Sequence, residues 1–68
     1  MIISPKELNV LTLVAHGYSD KEIGAKLKIS ERTVQTHLTR IIMKLNAKNR
    51  VNAAVLFFVN HTKLFKMH

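Results

Sequence analysis

Residues 30–45 read SERTVQTHLTRIIMKL, and this stretch decides the fold. At the roughly 100° per residue of an α-helix, Val34, Leu38, Ile41 and Leu45 fall in one narrow stripe. Arg32, Gln35, Thr36, Thr39, Arg40 and Met43 point the other way. The stripe predicts a side turned to a core. The opposite side is short, polar and basic, with no acid after the first turn. A helix needs such a surface to lie between phosphate walls and touch base edges. Helix 31–45 is therefore expected to read DNA.

The residues just before it supply a second helix and a tight turn. Ser19-Asp20-Lys21-Glu22 is a capping box, and Ile23 with Leu27 gives the i, i+4 apolar pair of a short helix over about Asp20 to Leu27. Lys28-Ile29 makes the turn, with Ile29 expected as a buried plug, and Ser30 caps the next helix. So short a connection leaves the two helices no choice but to be neighbours, the helix-turn-helix arrangement. Gly24 fits that geometry. A small residue facing the partner helix lets the axes approach, offsetting the roughly 1 kcal/mol helix propensity that glycine lacks.

Upstream, Ser4-Pro5-Lys6-Glu7 repeats the capping box with proline at the first helical position, predicting a helix from Pro5 to Ala15 or His16. Ile3 can staple onto it. Val10, Leu11 and Val14 share a face with Glu7, Leu8 is expected to be exposed, and Gly17 suits the left-handed residue that ends the helix. Downstream, Asn46 is a candidate terminator and Asn49 a candidate cap for a fourth helix from Arg50 to about Asn60. Val51, Ala54, Val55 and Phe58 are expected to face inward. Ala53, Leu56, Phe57 and Asn60 then form an exposed apolar patch, the expected dimerisation surface. The tail after His61 has no clear period, so docking of Leu64 and Phe65 is left open.

Sixty-eight residues make one small, all-α domain over 1–68, with a core over about 3–61 and a tail over 62–68. A core of that size is only marginally able to offset chain entropy. With no cysteine, neither disulfides nor thiolate metal sites can reinforce it. His16, His37, His61 and His68 lack ligand spacing, so no metal or other cofactor is expected. Neither a carboxylate pair, a glycine-rich phosphate loop nor a nucleophile motif is present, which argues against an enzyme. No run approaches the roughly 20 apolar residues of a membrane span. A cytoplasmic, nucleoid-associated protein is the expectation.

The formal charge is +7, from eleven Lys and Arg against four acids. Glu7, Asp20, Glu22 and Glu31 all fall in the first turn of an expected helix, where a carboxylate meets free N–H groups and the positive end of the dipole. From Arg32 to His68 there are seven Lys or Arg and no acid, a field suited to a polyanion.

The ordered set A-x-G-x-S-x-K-E-I from Ala15, I-S-E-x-T-V-x-x-H from Ile29, K-L at Lys44 and N-R-V-x-A-A-V from Asn49 resembles the LuxR-type (GerE- or NarL-type) DNA-binding domain, from Ile3 to about His61. The resemblance implies a four-helix-bundle-like domain: a tri-helical core containing the helix-turn-helix, plus a fourth helix that supports dimerisation. It also implies the effector part of a response regulator, here without its partner domain, or alternatively a stand-alone small regulator. The chain departs from the common pattern at Gly24, where alanine is commoner, and at Gln35, Thr36 and Thr39, which are neutral where many members carry lysine.

Gln35, Thr36 and Thr39 occupy the positions the family aims at base edges. Glutamine suits the N6/N7 edge of adenine, and threonine can offer its hydroxyl or its methyl. Arg32, Thr33, Arg40 and Lys44 bracket that face, and Lys26, Lys28 and Lys48 lie in adjacent segments within reach of phosphates. Arg50 is expected to hold the fourth helix to the body, and His37 to be a buried or half-buried structural histidine donating a hydrogen bond. The expected partners are double-stranded DNA and a second copy of the chain, with RNA polymerase a further candidate and no membrane. Two competing readings stand beside this one. A protein-interaction adaptor would carry aromatic or aliphatic anchors on the outward face of helix 31–45. A membrane-surface helix would require an unburied apolar face opposite its lysines.

Overall fold

Three serines start three helices. The structure, a computed structural model, describes the backbone of residues 3–62 and the side chains of residues 3–59. Four helices follow in order: α1 (Pro5–Ala15), α2 (Asp20–Leu27), α3 (Glu31–Leu45) and α4 (Arg50–Thr62). Ser4, Ser19 and Ser30 are extended N-cap residues whose Oγ accepts from the backbone N–H of Glu7, Glu22 and Thr33, at 3.2, 3.2 and 3.0 Å. Glu7 and Glu22 accept in return from the N–H groups of Ser4 and Ser19, completing both capping boxes. Asn49 starts α4 through its side-chain oxygen, which accepts from the N–H of Asn52 at 2.8 Å.

The helix ends use left-handed backbone, as expected of Gly17 (φ +92°) and Asn46 (φ +55°). Lys28, the last residue before the turn into α3, is also left-handed at φ +60°. Ile29, expected as a buried plug, is half-buried against the core. Gly24 sits against the turn and the start of α3, a Cβ there lying 3.5 Å from the backbone nitrogen of Glu31. A Cβ there would lie 2.7 Å from the backbone carbonyl oxygen of Ile29. The same loop returns the Ile29 N–H to the Gly24 carbonyl at 3.0 Å, so turn and helix are locked at this distance.

The core lies where all four helices meet. Val10 and Leu11 of α1, Ile23 of α2, and Val34, Leu38 and Ile41 of α3 are buried, joined by Ala53 and Ala54 of α4. Leu8 is exposed. The orientation of α4 departs from the expectation. Ala53, assigned to the outer patch, is fully buried, whereas Val51 and Val55, assigned inward, are 66% and 51% exposed. Phe57 packs against the core, and Leu56 is half-buried. Residues 51–59 are apolar at every position but Asn52, so polarity gives the helix no inner side. The two alanines are buried where α4 packs on α1 and α3, Phe57 and Phe58 pack against the core beside them, and the valines turn to solvent. Leu64, Phe65 and the side chain of Asn60 lie outside the described residues.

Because the Gly24 contact is with backbone, which cannot rotate away, Gly24→Val is expected to cost about 1–3 kcal/mol of stability. A urea unfolding midpoint unchanged from the parent chain would show that the turn yields.

Candidate nucleic-acid interface

Burying one side of α3 exposes the other. Arg32, Gln35, Thr36, Thr39, Arg40 and Met43 are all exposed along it, as the helical wheel requires. The hydroxyls of Thr36 and Thr39 donate back along the helix, to the carbonyls of Arg32 at 3.1 Å and Gln35 at 3.0 Å. Their protons are therefore used internally, and each threonine offers a methyl group and oxygen lone pairs outward. Thr33 is engaged at the cap, its Oγ1 2.8 Å from the Oγ of Ser30.

The basic residues divide into two groups. Lys26, Lys28, Arg32, Arg40 and Lys48 are exposed. Lys26 lies 4.6 Å from the centre of the Tyr18 ring, a cation–π contact that steadies it on α2. Lys44 and Arg50 instead point back into the protein. Lys44 Nζ meets Glu7 Oε1 at 2.6 Å, tying α3 to α1. Arg50 forks onto Asp20, with Nη1–Oδ1 at 2.5 Å and Nη2–Oδ2 at 3.0 Å, tying α4 to α2. Arg50 thus does what was expected of it. Lys44, expected to bracket the reading face as a phosphate ligand, has its ammonium group turned onto the buried carboxylate of Glu7.

The acids explain these pairings. Glu7 is 4% exposed, and burial alone would raise its pKa. The hydrogen bond from Lys44, together with those from Ser4, outweighs that cost and holds the carboxyl below its ordinary value. Asp20 is held low chiefly by the Arg50 hydrogen bond, against the opposing effect of burial. Glu22 is lowered by the backbone and side-chain hydrogen bonds of Ser19. Glu7 and Asp20 are therefore more than caps, each being the internal partner of one cation. The signal for Glu7 was its place on the inward face of α1, since a buried carboxylate requires a cation. For Asp20 no such signal existed, because its partner lies thirty residues away.

Asp20 also accepts a hydrogen bond from the side-chain Nε2 of Gln35 at 3.4 Å. His37 is half-buried, as expected, but its Nδ1 is buried without a hydrogen-bond partner among the described residues. The residue lines a cleft of about 140 Å³ with Lys6, Asn9, Val10, Leu27 and Ile29. Among the described residues no helix is long and apolar enough to cross a membrane.

The fold and this surface define a helix-turn-helix domain with a cationic, hydrogen-bonding face on α3, the second helix of that motif. The family of bacterial regulatory proteins known as the luxR family matches residues 1–57, and the chain belongs to it, a family of DNA-binding transcription regulators. It is 44% identical over 59 residues to the transcriptional regulatory protein LiaR of Bacillus subtilis (strain 168), covering 87% of this chain and 28% of that protein. It is 43% identical over 56 residues to the nitrate/nitrite response regulator protein NarP of Escherichia coli (strain K12), covering 82% and 26%. To the oxygen regulatory protein NreC of Staphylococcus carnosus (strain TM300) it is 49% identical over 49 residues, covering 72% and 23%. The chain thus spans about a quarter of the length of the relatives it matches.

Lowered carboxylate pKa values mean stability that is fully present above the unfolded value, 4.5 for glutamate, and lost as pH falls through the lower folded value. Glu7→Gln is expected to cost about 1.5–3 kcal/mol at neutral pH by leaving Lys44 without its carboxylate. It is also expected to flatten the decline of thermal stability below pH 4.5. A mutant whose acid decline parallels that of the parent would remove Glu7 from that role.

Proposed function

We propose that this chain is the DNA-binding effector part of a bacterial two-component response regulator, acting in the cytoplasm on nucleoid DNA, with α3 in the major groove. The observation that carries the reading is the exposed side of α3, which is acid-free from Arg32 onward and presents Gln35, Thr36 and Thr39 at its centre. Gln35, Thr36 and Thr39 meet base edges. Lys26, Lys28, Arg32, Arg40 and Lys48, with Thr33 at the cap, meet phosphates on either side. The response regulator assignment is supported by the similarity to NarP. The adaptor reading fits poorly, since only Met43 on the α3 face is a large apolar group.

The second copy in this reading binds through α4. Val51, Val55 and Val59 recur every four residues, each more than half exposed. The first two flank an apolar groove formed with Val14, Ala15, Ala54 and Phe58. A row of solvent-facing valines on so highly charged a chain suits a weak isologous contact between copies, which two half-sites one DNA turn apart would reinforce. Burying each valine is worth roughly 1.5 kcal/mol, too little for an obligate dimer once association entropy is subtracted.

On a matched duplex, Gln35→Ala is expected to cost about 1–3 kcal/mol and relax preference at one base pair. Arg40→Ala is expected to weaken matched and random duplexes alike and reduce the salt slope by about one. Fluorescence anisotropy across a salt series measures both, and a parent chain that binds matched duplex no tighter than random duplex would refute sequence-specific control.

Val55→Asn is expected to leave the melting temperature near that of the parent while weakening binding to a two-half-site duplex several-fold more than to a single half-site. Phe57→Asp, at a residue packed on the core, is expected to unfold the monomer instead. Equal losses on both duplexes for Val55→Asn would exclude the valine row as the contact.

A further inference from the structure

Gln35 is exposed on the reading side of α3, yet its side chain is not at liberty. Its Nε2 lies 3.4 Å from Oδ2 of Asp20, the first residue of α2. Asp20 cannot turn to follow it, because both carboxylate oxygens are held by the fork of Arg50 from α4. The Asp20 side chain is only 13% exposed, so it is part of the packed body of the domain. An ionised carboxylate only accepts hydrogen bonds, and of the two ends of a glutamine amide only the nitrogen donates. The chemistry of the pair therefore fixes which end of Gln35 faces α2.

We propose that Asp20 is a specificity-determining positioning residue: by holding Gln35 through its amide nitrogen, it turns the carbonyl Oε1 toward the groove and so selects a base bearing an exocyclic amine. In the major groove adenine presents N6–H₂ and cytosine N4–H₂, whereas guanine and thymine present only acceptors at the corresponding positions. The selected identity on the contacted strand is adenine or cytosine over guanine or thymine. Without the tether a glutamine amide flips freely and can donate to guanine or thymine with nearly equal ease. Arg50 completes the device by cancelling the charge of Asp20, which would otherwise sit as a lone anion at the rim of a phosphate-binding surface. The inference rests on the reading of Gln35 as a base-contacting residue.

The test uses the 68-residue chain and duplexes enriched by it from a random-sequence pool, with all four bases then placed at each position. The base pair governed by Gln35 is the one where Gln35→Ala flattens the profile. At that position the parent chain is expected to favour adenine or cytosine about tenfold over guanine or thymine, a discrimination within the range of one good base contact. Asp20→Ala is expected to reduce this severalfold while leaving random-duplex affinity no weaker, since a negative charge has been removed. In a Gln35→Ala background it should change nothing further. Asp20→Asn keeps one oxygen for Arg50 and places an NH₂ group where Oδ2 stood. It is expected to reverse the amide of Gln35 and shift preference toward guanine or thymine. This variant decides the matter if circular dichroism shows that Asp20→Ala unfolds. A parent-like profile in the folded aspartate variants, at a position that Gln35→Ala flattens, would overturn the role of Asp20 and leave the reading of Gln35 intact. A parent-like profile at every position in Gln35→Ala would instead overturn that reading, and this inference with it.

Discussion

Burial of Val34, Leu38 and Ile41 leaves α3 a single way to face, and the rest of the domain is arranged to hold it there. Val10 and Leu11 of α1 and Ile23 of α2 close over the stripe, and α4 covers it from the far side with two alanines. So small a core has little area to spare. Two ion pairs between elements distant in sequence add directional restraint that apolar contact lacks. Glu7–Lys44 joins α1 to α3, and Asp20–Arg50 joins α2 to α4. Each pair also touches a cap or the first turn of a helix, so the signals that start the helices and the contacts that assemble them share the same side chains.

That sharing shapes the electrostatics of the surface. Glu7 is buried against Lys44, Asp20 is covered by Arg50, Glu22 is folded back onto its cap, and Glu31 stands in the first turn of α3. The carboxylates are spent on local structure, and the uncompensated lysines and arginines are the ones that meet solvent. A polyanion approaching α3 would find cations on both flanks and a neutral, hydrogen-bonding strip between them, which separates attraction to phosphate from discrimination among bases.

How much of this could be read in advance depended on contrast in the chain. The first three helices begin at serine caps, and α1 and α2 add capping boxes, so their boundaries and inward stripes were legible. Asn46 and Gly17 marked their own left-handed ends. α4 offered no such contrast. From Val51 to Val59 nearly every residue is apolar, and the side turned inward, with Ala53 and Ala54 buried and Phe57 and Phe58 packed beside them, is one that polarity cannot reveal. The exposed side of α3 was legible residue by residue, yet the pairing of Lys44 with Glu7 was not, because helical periodicity places a side chain on a face without saying what long acid lies across from it. The link from Asp20 to Gln35 was invisible for the same reason.

Lys28 carries a different kind of consequence. It occupies a left-handed backbone position where glycine is the usual resident, and a lysine there forgoes conformational ease. Its charge also lies at the negative end of the α2 dipole and beside the turn into α3. The cost of that backbone conformation is thus offset in part by the meeting of a cation with the carbonyl end of α2, a gain that glycine at the same position would forgo.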